Sequence, residues 1–147
     1  MSLETRFAIV LGLLALAVLA GIVWKTRSGR AKKVSSGEQI NLTEIAALKD
    51  GKPVTEFGSR ITFLQFSSEF CSACRQTARL YSELEQVHPD VLHIEIDITN
   101  RTDLANKFNI LQTPTTLVLD SRGRVTSRIS GAAKQQTIQD EIGSFVI

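Results

Sequence analysis

The chain has 147 residues, of which 43% are hydrophobic and 22% charged. That length holds one domain with an appendage, and that composition excludes a wholly disordered chain. Two cysteines and three prolines exclude a disulfide-stapled scaffold, a four-thiolate zinc site and a proline-rich fibre.

The net charge of +2 is unevenly spread: residues 1–33 sum to +5 and the remainder to −3. The larger part therefore lacks the phosphate-neutralising surface that nucleic acid requires. The basic head points to membrane lipid instead. Phe7 to Trp24 is a run of 18 uncharged residues, FAIVLGLLALAVLAGIVW. As a helix rising about 1.5 Å per residue it spans roughly 27 Å, close to a hydrocarbon core of about 30 Å. It has no polar face, and Trp24 stands where an interfacial aromatic belongs.

A cleaved signal peptide competes with this reading, because Ala15-Leu16-Ala17 resembles a small-residue cleavage site behind Arg6. The apolar run, however, continues to Trp24 and meets Lys25, Arg27, Arg30, Lys32 and Lys33, a stop-transfer pattern. The expectation is a single-pass anchor in the cell membrane. The positive-inside rule then puts the C-terminal part in the cytoplasm, with the extracytoplasmic side as the alternative.

The expected layout is a flank over 1–6, a membrane helix over 7–24, a basic flexible linker over 25–37 and a domain over 38–147. Within the domain, Asn41-Leu42-Thr43-Glu44 reads as a capping box opening a short helix that ends near Lys49. Val54–Phe57 and Ile61–Phe66 read as strands. A helix over 72–87 follows, with Leu80, Leu84 and Val87 on one face before His88-Pro89-Asp90 stops it.

Val91–Ile98 alternates as a strand, and Thr102–Phe108 is a short helix. Thr115–Leu119 and Arg124–Ile129 form a hairpin about Ser121-Arg122-Gly123, and Gln135–Phe145 closes as a helix. The fold class is α/β, a mixed central sheet flanked by helices. Phe63, Phe66, Leu117 and Leu119 are its expected core, and Arg122, Arg124 and Arg128 a solvated hairpin face.

Both cysteines lie in Cys71-Ser72-Ala73-Cys74, where a strand gives way to a helix. A spacing of three on a first helical turn brings the sulfurs within bridging reach. Free N–H groups and the positive dipole end favour a thiolate at the first position. Cys71 is thus the expected nucleophile and Cys74 the resolving thiol. Half a zinc site with His88 and His93, a pair of structural cysteines, and a redox-dead remnant of such a pair are the alternatives.

The segments Phe63–Arg75 (FLQFSSEFCSACR), Ile96-Asp97, Thr113–Asp120 (TPTTLVLD), Gly123 and Ser130-Gly131-Ala132 resemble the thioredoxin family across residues 38–147. The resemblance implies a thioredoxin fold, thiol–disulfide exchange and a cis Thr113–Pro114 bond beside the cysteines. It implies substrate contact through Phe70, Ser72, Ala73, Thr113 and Pro114, and no cofactor beyond the redox-active disulfide.

The departures from the family pattern are Phe70 for its tryptophan, Ser72-Ala73 for its Gly-Pro, and Arg79 for its helix proline. Gln65 stands for its buried acid and His93 for that acid's lysine partner. One reading makes His93, beside Gln65, a proton acceptor at neutral pH. The other makes it a polar sheet residue under a helix.

The leading expectation is a membrane-anchored oxidoreductase that reduces protein disulfides. Its partners would be a disulfide-bearing protein and an electron donor such as a thioredoxin-reductase-like flavoenzyme. A noncatalytic binding or chaperone module, and an extracytoplasmic oxidase or cytochrome-maturation reductase, are the alternatives.

Overall fold

A computed structural model describes residues 2–35 and 37–145. Ser36 in the expected linker, and Met1, Val146 and Ile147 at the ends of the expected layout, lie outside the described residues. The first element is α1 (Leu3–Arg27), started by the Ser2 hydroxyl, which accepts a bond from Thr5 N–H at 3.3 Å. None of its residues is buried against the rest of the chain. It is longer than the apolar run because Glu4, Thr5 and Arg6, and then Lys25 to Arg27, continue the helix beyond both ends.

The segment after α1 departs from the flexible tether expected of it. Ala31–Lys33 form β1, paired antiparallel to β7 (Val125–Ser130), and Val34 N–H donates to Thr126 O at 3.0 Å. A free strand edge offers unpaired N–H and C=O groups, and a basic extended segment can satisfy them as well as an apolar one. The joint between α1 and β1 is tight. Gly29 is buried at φ +75°, its N–H donates to Ser130 O at 2.8 Å, and its carbonyl accepts from the Thr137 hydroxyl at 3.0 Å.

A Cβ on Gly29 would meet the backbone oxygen of Ala132 at 2.2 Å. Gly29→Ala is therefore expected to destabilise the domain by about 2–3 kcal/mol, combining a left-handed alanine with a backbone overlap. Gly143→Ala, which meets nothing within 4 Å, should be neutral or mildly stabilising. Denaturant unfolding of the two full-length variants compares them directly.

The chain departs from two further sequence expectations. The capping box forms only a turn: Asn41 Oδ1 accepts from Thr43 and Glu44 N–H, but Ala46 then adopts φ +50° and ends it. That turn carries Leu42 and Ile45 into the core. Next, β2 (Leu48–Lys49) and β3 (Lys52–Pro53) make a small hairpin where helix was expected. Val54–Phe57 is not a strand; Phe57 lies beneath the Ser121-Arg122-Gly123 turn, where a Cβ on Gly123 would meet its ring at 2.3 Å.

The central sheet also contains β4 (Ile61–Ser67), β5 (Val91–Asp97) and β6 (Thr115–Asp120), in the order β1-β7-β6-β4-β5. β4 and β5 are parallel, and every other pair is antiparallel. The β4 residues are all buried, because helices cover one face and the segment 40–47 with α3 (Thr102–Lys107) covers the other. α2 (Ser72–Val87) and α4 (Gln135–Ser144) complete the fold.

Phe63, Phe66, Leu117 and Leu119 are core residues, as expected. On α2 the buried stripe is Cys74, Thr77 and Tyr81, with Leu80 and Leu84 beside it; Val87, expected on the same face, is 72% exposed. It lies at the helix end, past the edge of the sheet that α2 covers. Arg128 leaves the solvated face assigned to it and donates to the carbonyls of Phe108 and Asn109, capping the C-terminal end of α3.

The registers place four features at one end of the sheet. β4 runs toward Cys71, and its Phe66 faces Thr115, so β6 begins there just after Pro114. Thr115 faces Ser130, where β7 ends, and Ile129 faces Ala31, where β1 begins.

Candidate active site

Cys71 and Cys74 form a disulfide with their Cα atoms 5.2 Å apart. Cys71 is the N-cap of α2, and its Sγ accepts a bond from Cys74 N–H at 3.1 Å. β4 ends at Ser67, and Cys71 N–H donates to Ser68 O at 3.1 Å, which turns the chain into the helix. The two sulfurs differ in access: Cys71 is half-buried, whereas Cys74 is 1% exposed. Only the first can meet another protein directly.

The Thr113–Pro114 bond is cis. The Thr113 hydroxyl lies 3.0 Å from that of Ser68, which ties this loop to the one leading into the cysteines. From the other side, Gly131 N–H donates to Pro114 O at 2.8 Å. Phe70 stands out at 89% exposed, Ser72 is exposed, and Ala73 and Thr113 are half-buried. Leu111, 87% exposed on the loop before Pro114, is a large apolar side chain that sequence reasoning passed over. Only its exposure marks it, and exposure has no sequence signal.

Gln65 and His93 come together beneath α2. Gln65 Nε2 donates to the Cys74 carbonyl at 3.0 Å, leaving its Oε1 to face His93 Nε2 at 3.0 Å. That arrangement fixes the imidazole proton on Nε2. Burial, aided by the nearby Lys49 charge, pushes the His93 pKa down to about 3. The ring lies 4.9 Å from Tyr81, whose own ring stacks on Phe63 at 4.6 Å. Glu85 accepts from His93 N–H at 2.6 Å and pairs with Lys49, which donates to His93 O at 2.9 Å.

The sequence reading missed Lys49, Tyr81 and Glu85 as neighbours of His93. Lys49 comes from β2 and Tyr81 and Glu85 from α2, so only the fold brings them to β5. Putting a carboxylate opposite Nε2 would favour the imidazolium. Gln65→Glu is thus expected to raise the His93 pKa by at least about one unit, read as an NMR titration of the ring.

Both cysteine sulfurs are occupied by their mutual bond, and among the described residues no group of three or more His, Cys, Asp or Glu is gathered as for a metal. The thioredoxin family model matches residues 51–144. Thioredoxin H4-1 of Oryza sativa subsp. japonica is 28% identical over 110 residues, covering 75% of this chain and 77% of that protein. TPR repeat-containing thioredoxin TDX of Arabidopsis thaliana is 29% identical over 101 residues, which is 69% of this chain but only 26% of that longer protein.

Among solved structures, a thioredoxin of Nicotiana alata matches with a TM-score of 0.52 at 22% identity, covering 60% of this chain and 76% of that one. A Fasciola hepatica thioredoxin matches with a TM-score of 0.51 at 23% identity, covering 60% and 83%. The chain belongs to the thioredoxin family, and its Cys71–Cys74 pair is the equipment of a thiol–disulfide oxidoreductase.

Proposed function

We propose that this protein is a membrane-anchored oxidoreductase that reduces disulfides in other proteins. The observation that carries the reading is the asymmetry of the bridged pair, one sulfur accessible at a helix N-terminus and the other buried. In the reduced protein the helix terminus and the Cys74 N–H favour the Cys71 thiolate. It attacks one substrate sulfur and expels the other as thiolate, forming a mixed disulfide. Cys74 then loses its proton and attacks Cys71 Sγ, releasing the second substrate sulfur as thiolate. Two electrons pass to the substrate, and the Cys71–Cys74 bond is the oxidised product.

Phe70, Ser72, Ala73 and the Thr113-Pro114 edge receive the polypeptide, the edge by strand-like backbone pairing. His93, neutral at physiological pH, holds Gln65 against the carbonyl of Cys74 and so positions the resolving cysteine. The low pKa leaves it a weak base for the Cys74 proton at neutral pH, so positioning is the role we assign it. The electron donor is a thioredoxin-reductase-like flavoenzyme.

α1 serves as the anchor, being long and apolar enough to cross a bilayer and buried against nothing in the chain. Five Lys and Arg follow its apolar run and Arg6 alone precedes it, which favours a cytoplasmic domain. A reporter fused after residue 145, read in intact cells against lysed cells, tests the side. Reporter signal on the outer side would turn the reading toward an extracytoplasmic enzyme.

A further inference from the structure

We infer that the redox end of the domain faces the bilayer, so that its substrate is a disulfide in the first residues outside the membrane of a membrane-embedded polypeptide. The inference rests on α1 being an anchor, as proposed above. It begins with the registers. The end of β4 that delivers Cys71, the start of β6 at Pro114, the end of β7 at Ser130 and the start of β1 at Ala31 all lie at one end of the sheet.

α1 therefore joins the domain at the same end as the cysteines. β1 and β4 are three strand spacings apart, which is about 14 Å across the sheet. The opposite end, with the turns at Asp90 and Ser121, is further from the anchor by the length of β4, roughly 23 Å for seven residues.

The joint is built to hold that placement. Ser28 and Gly29 interlock with Ser130, Gly131 and Ala132: Gly29 bonds Ser130 O, and a Cβ on Gly131 would meet the Ser28 hydroxyl at 2.1 Å. Gly131 in turn bonds Pro114 O. One shell of contacts thus links the last turn of the anchor to the substrate edge. No residue of α1 is buried, so the helix leaves the domain outward rather than folding back along it.

Charge agrees with this placement. Lys25, Arg27, Arg30 and Lys32 are exposed at this end, where anionic headgroups would attract them. A groove of about 690 Å³ opens between β1 and the loop before Pro114, with Lys32, Leu111, Gln112 and Thr115 among its walls. The groove reaches the anchor's end of the sheet, where an extended segment leaving the bilayer can enter it.

The test uses the full chain in phospholipid vesicles carrying a nitroxide quencher on a fraction of their headgroups. A fluorophore is placed on Cys71 in a Cys74→Ser chain, or at Ser121→Cys in a chain with Cys71→Ser and Cys74→Ser. Quenching at least threefold stronger at position 71 than at 121 is expected. Equal or reversed quenching overturns the orientation. A chain that does not float with the vesicles sinks the anchor reading itself, and the inference with it.

A second arm tests the substrate class. Pre-reduced native chain is given a disulfide-quenched dye on a lipid headgroup, or the same dye on a soluble peptide, in a single turnover. The lipid-borne probe should react at least tenfold faster. Inserting twenty Gly and Ser residues between Arg27 and Ser28 keeps the joint but frees its orientation. That variant should lose most of the advantage with the soluble rate unchanged. Equal rates on both probes in the native chain overturn the substrate assignment.

Discussion

A full-length Cys71→Ser chain is expected to lose disulfide reduction by at least about three orders of magnitude, because the covalent route disappears with its nucleophile. A Cys74→Ser chain fails differently. Its Cys71 still attacks, but nothing releases the substrate, so a mixed disulfide accumulates and is visible by mass on non-reducing gels. The roles follow from access: Cys71 is half-buried at the cap of α2, and Cys74 is 1% exposed beneath it. If the trapped complex formed in the Cys71→Ser chain instead, the roles would be reversed and the burial argument would fail. Both variants lose the same bridge, so a stability difference does not explain a difference in trapping.

The second large effect is on stability in acid. His93 is buried, with a pKa held down to about 3, whereas the unfolded chain has the ordinary value of 6.5. Below pH 6.5 the unfolded state therefore binds a proton that the folded state refuses, and stability falls as pH falls. The contribution is fully present above pH 6.5 and is lost progressively toward pH 3. Between pH 7 and pH 4 the loss attributable to His93 is about 3 kcal/mol, at about 1.4 kcal/mol per pH unit.

The surroundings explain why the folded state resists protonation. Lys49 stands beside the ring, Glu85 is engaged by the backbone N–H and by Lys49, and Gln65 offers a carbonyl but no charge. Asp97 and Asp120 also carry lowered pKa values, Asp97 through Thr99 and Asp120, against its partial burial, through the Arg124 and Arg122 amides and the Arg124 guanidinium, so part of any acid loss is theirs. A His93→Asn chain separates the contributions. Its unfolding free energy, measured by denaturant at several pH values, should lose most of the slope between pH 6.5 and 4 that the native chain shows. An unchanged slope would mean that His93 is solvated or already charged in the folded protein.

Much of this fold is legible because its signals are local. The β4 run Ile61–Phe66 is mostly apolar, the Val91–Ile98 alternation is regular, and Ser121-Arg122-Gly123 is a turn by its glycine at φ +78°. The cysteine spacing and Thr113-Pro114 carry the site in the same local way. What escaped the sequence is non-local. Residues 31–33 look like tether because nothing in Ala-Lys-Lys announces a strand; only the open edge of β7, almost a hundred positions later, makes it one. Gly29 reads as a linker glycine, yet its positive φ and the Ala132 carbonyl against it make it a joint.

The helix expected over 42–49 failed on backbone angles at Ala46 and Asp50 that composition does not encode. His93 shows the same limit more subtly. Its place beside Gln65 is what the family resemblance implies, but the lowered pKa comes from burial and from the Lys49 charge, which the fold brings from β2.

Cys71 and Cys74 are expected to interconvert as a reversible two-electron couple. Equilibrating the full chain, β1 included, against graded dithiothreitol and glutathione ratios, then trapping free thiols, measures it. A single two-electron transition is expected, with both thiols appearing together and a potential near the reductant end of the thioredoxin-like range, about −270 mV. A chain whose two cysteines form no intramolecular disulfide at any ratio would contradict it.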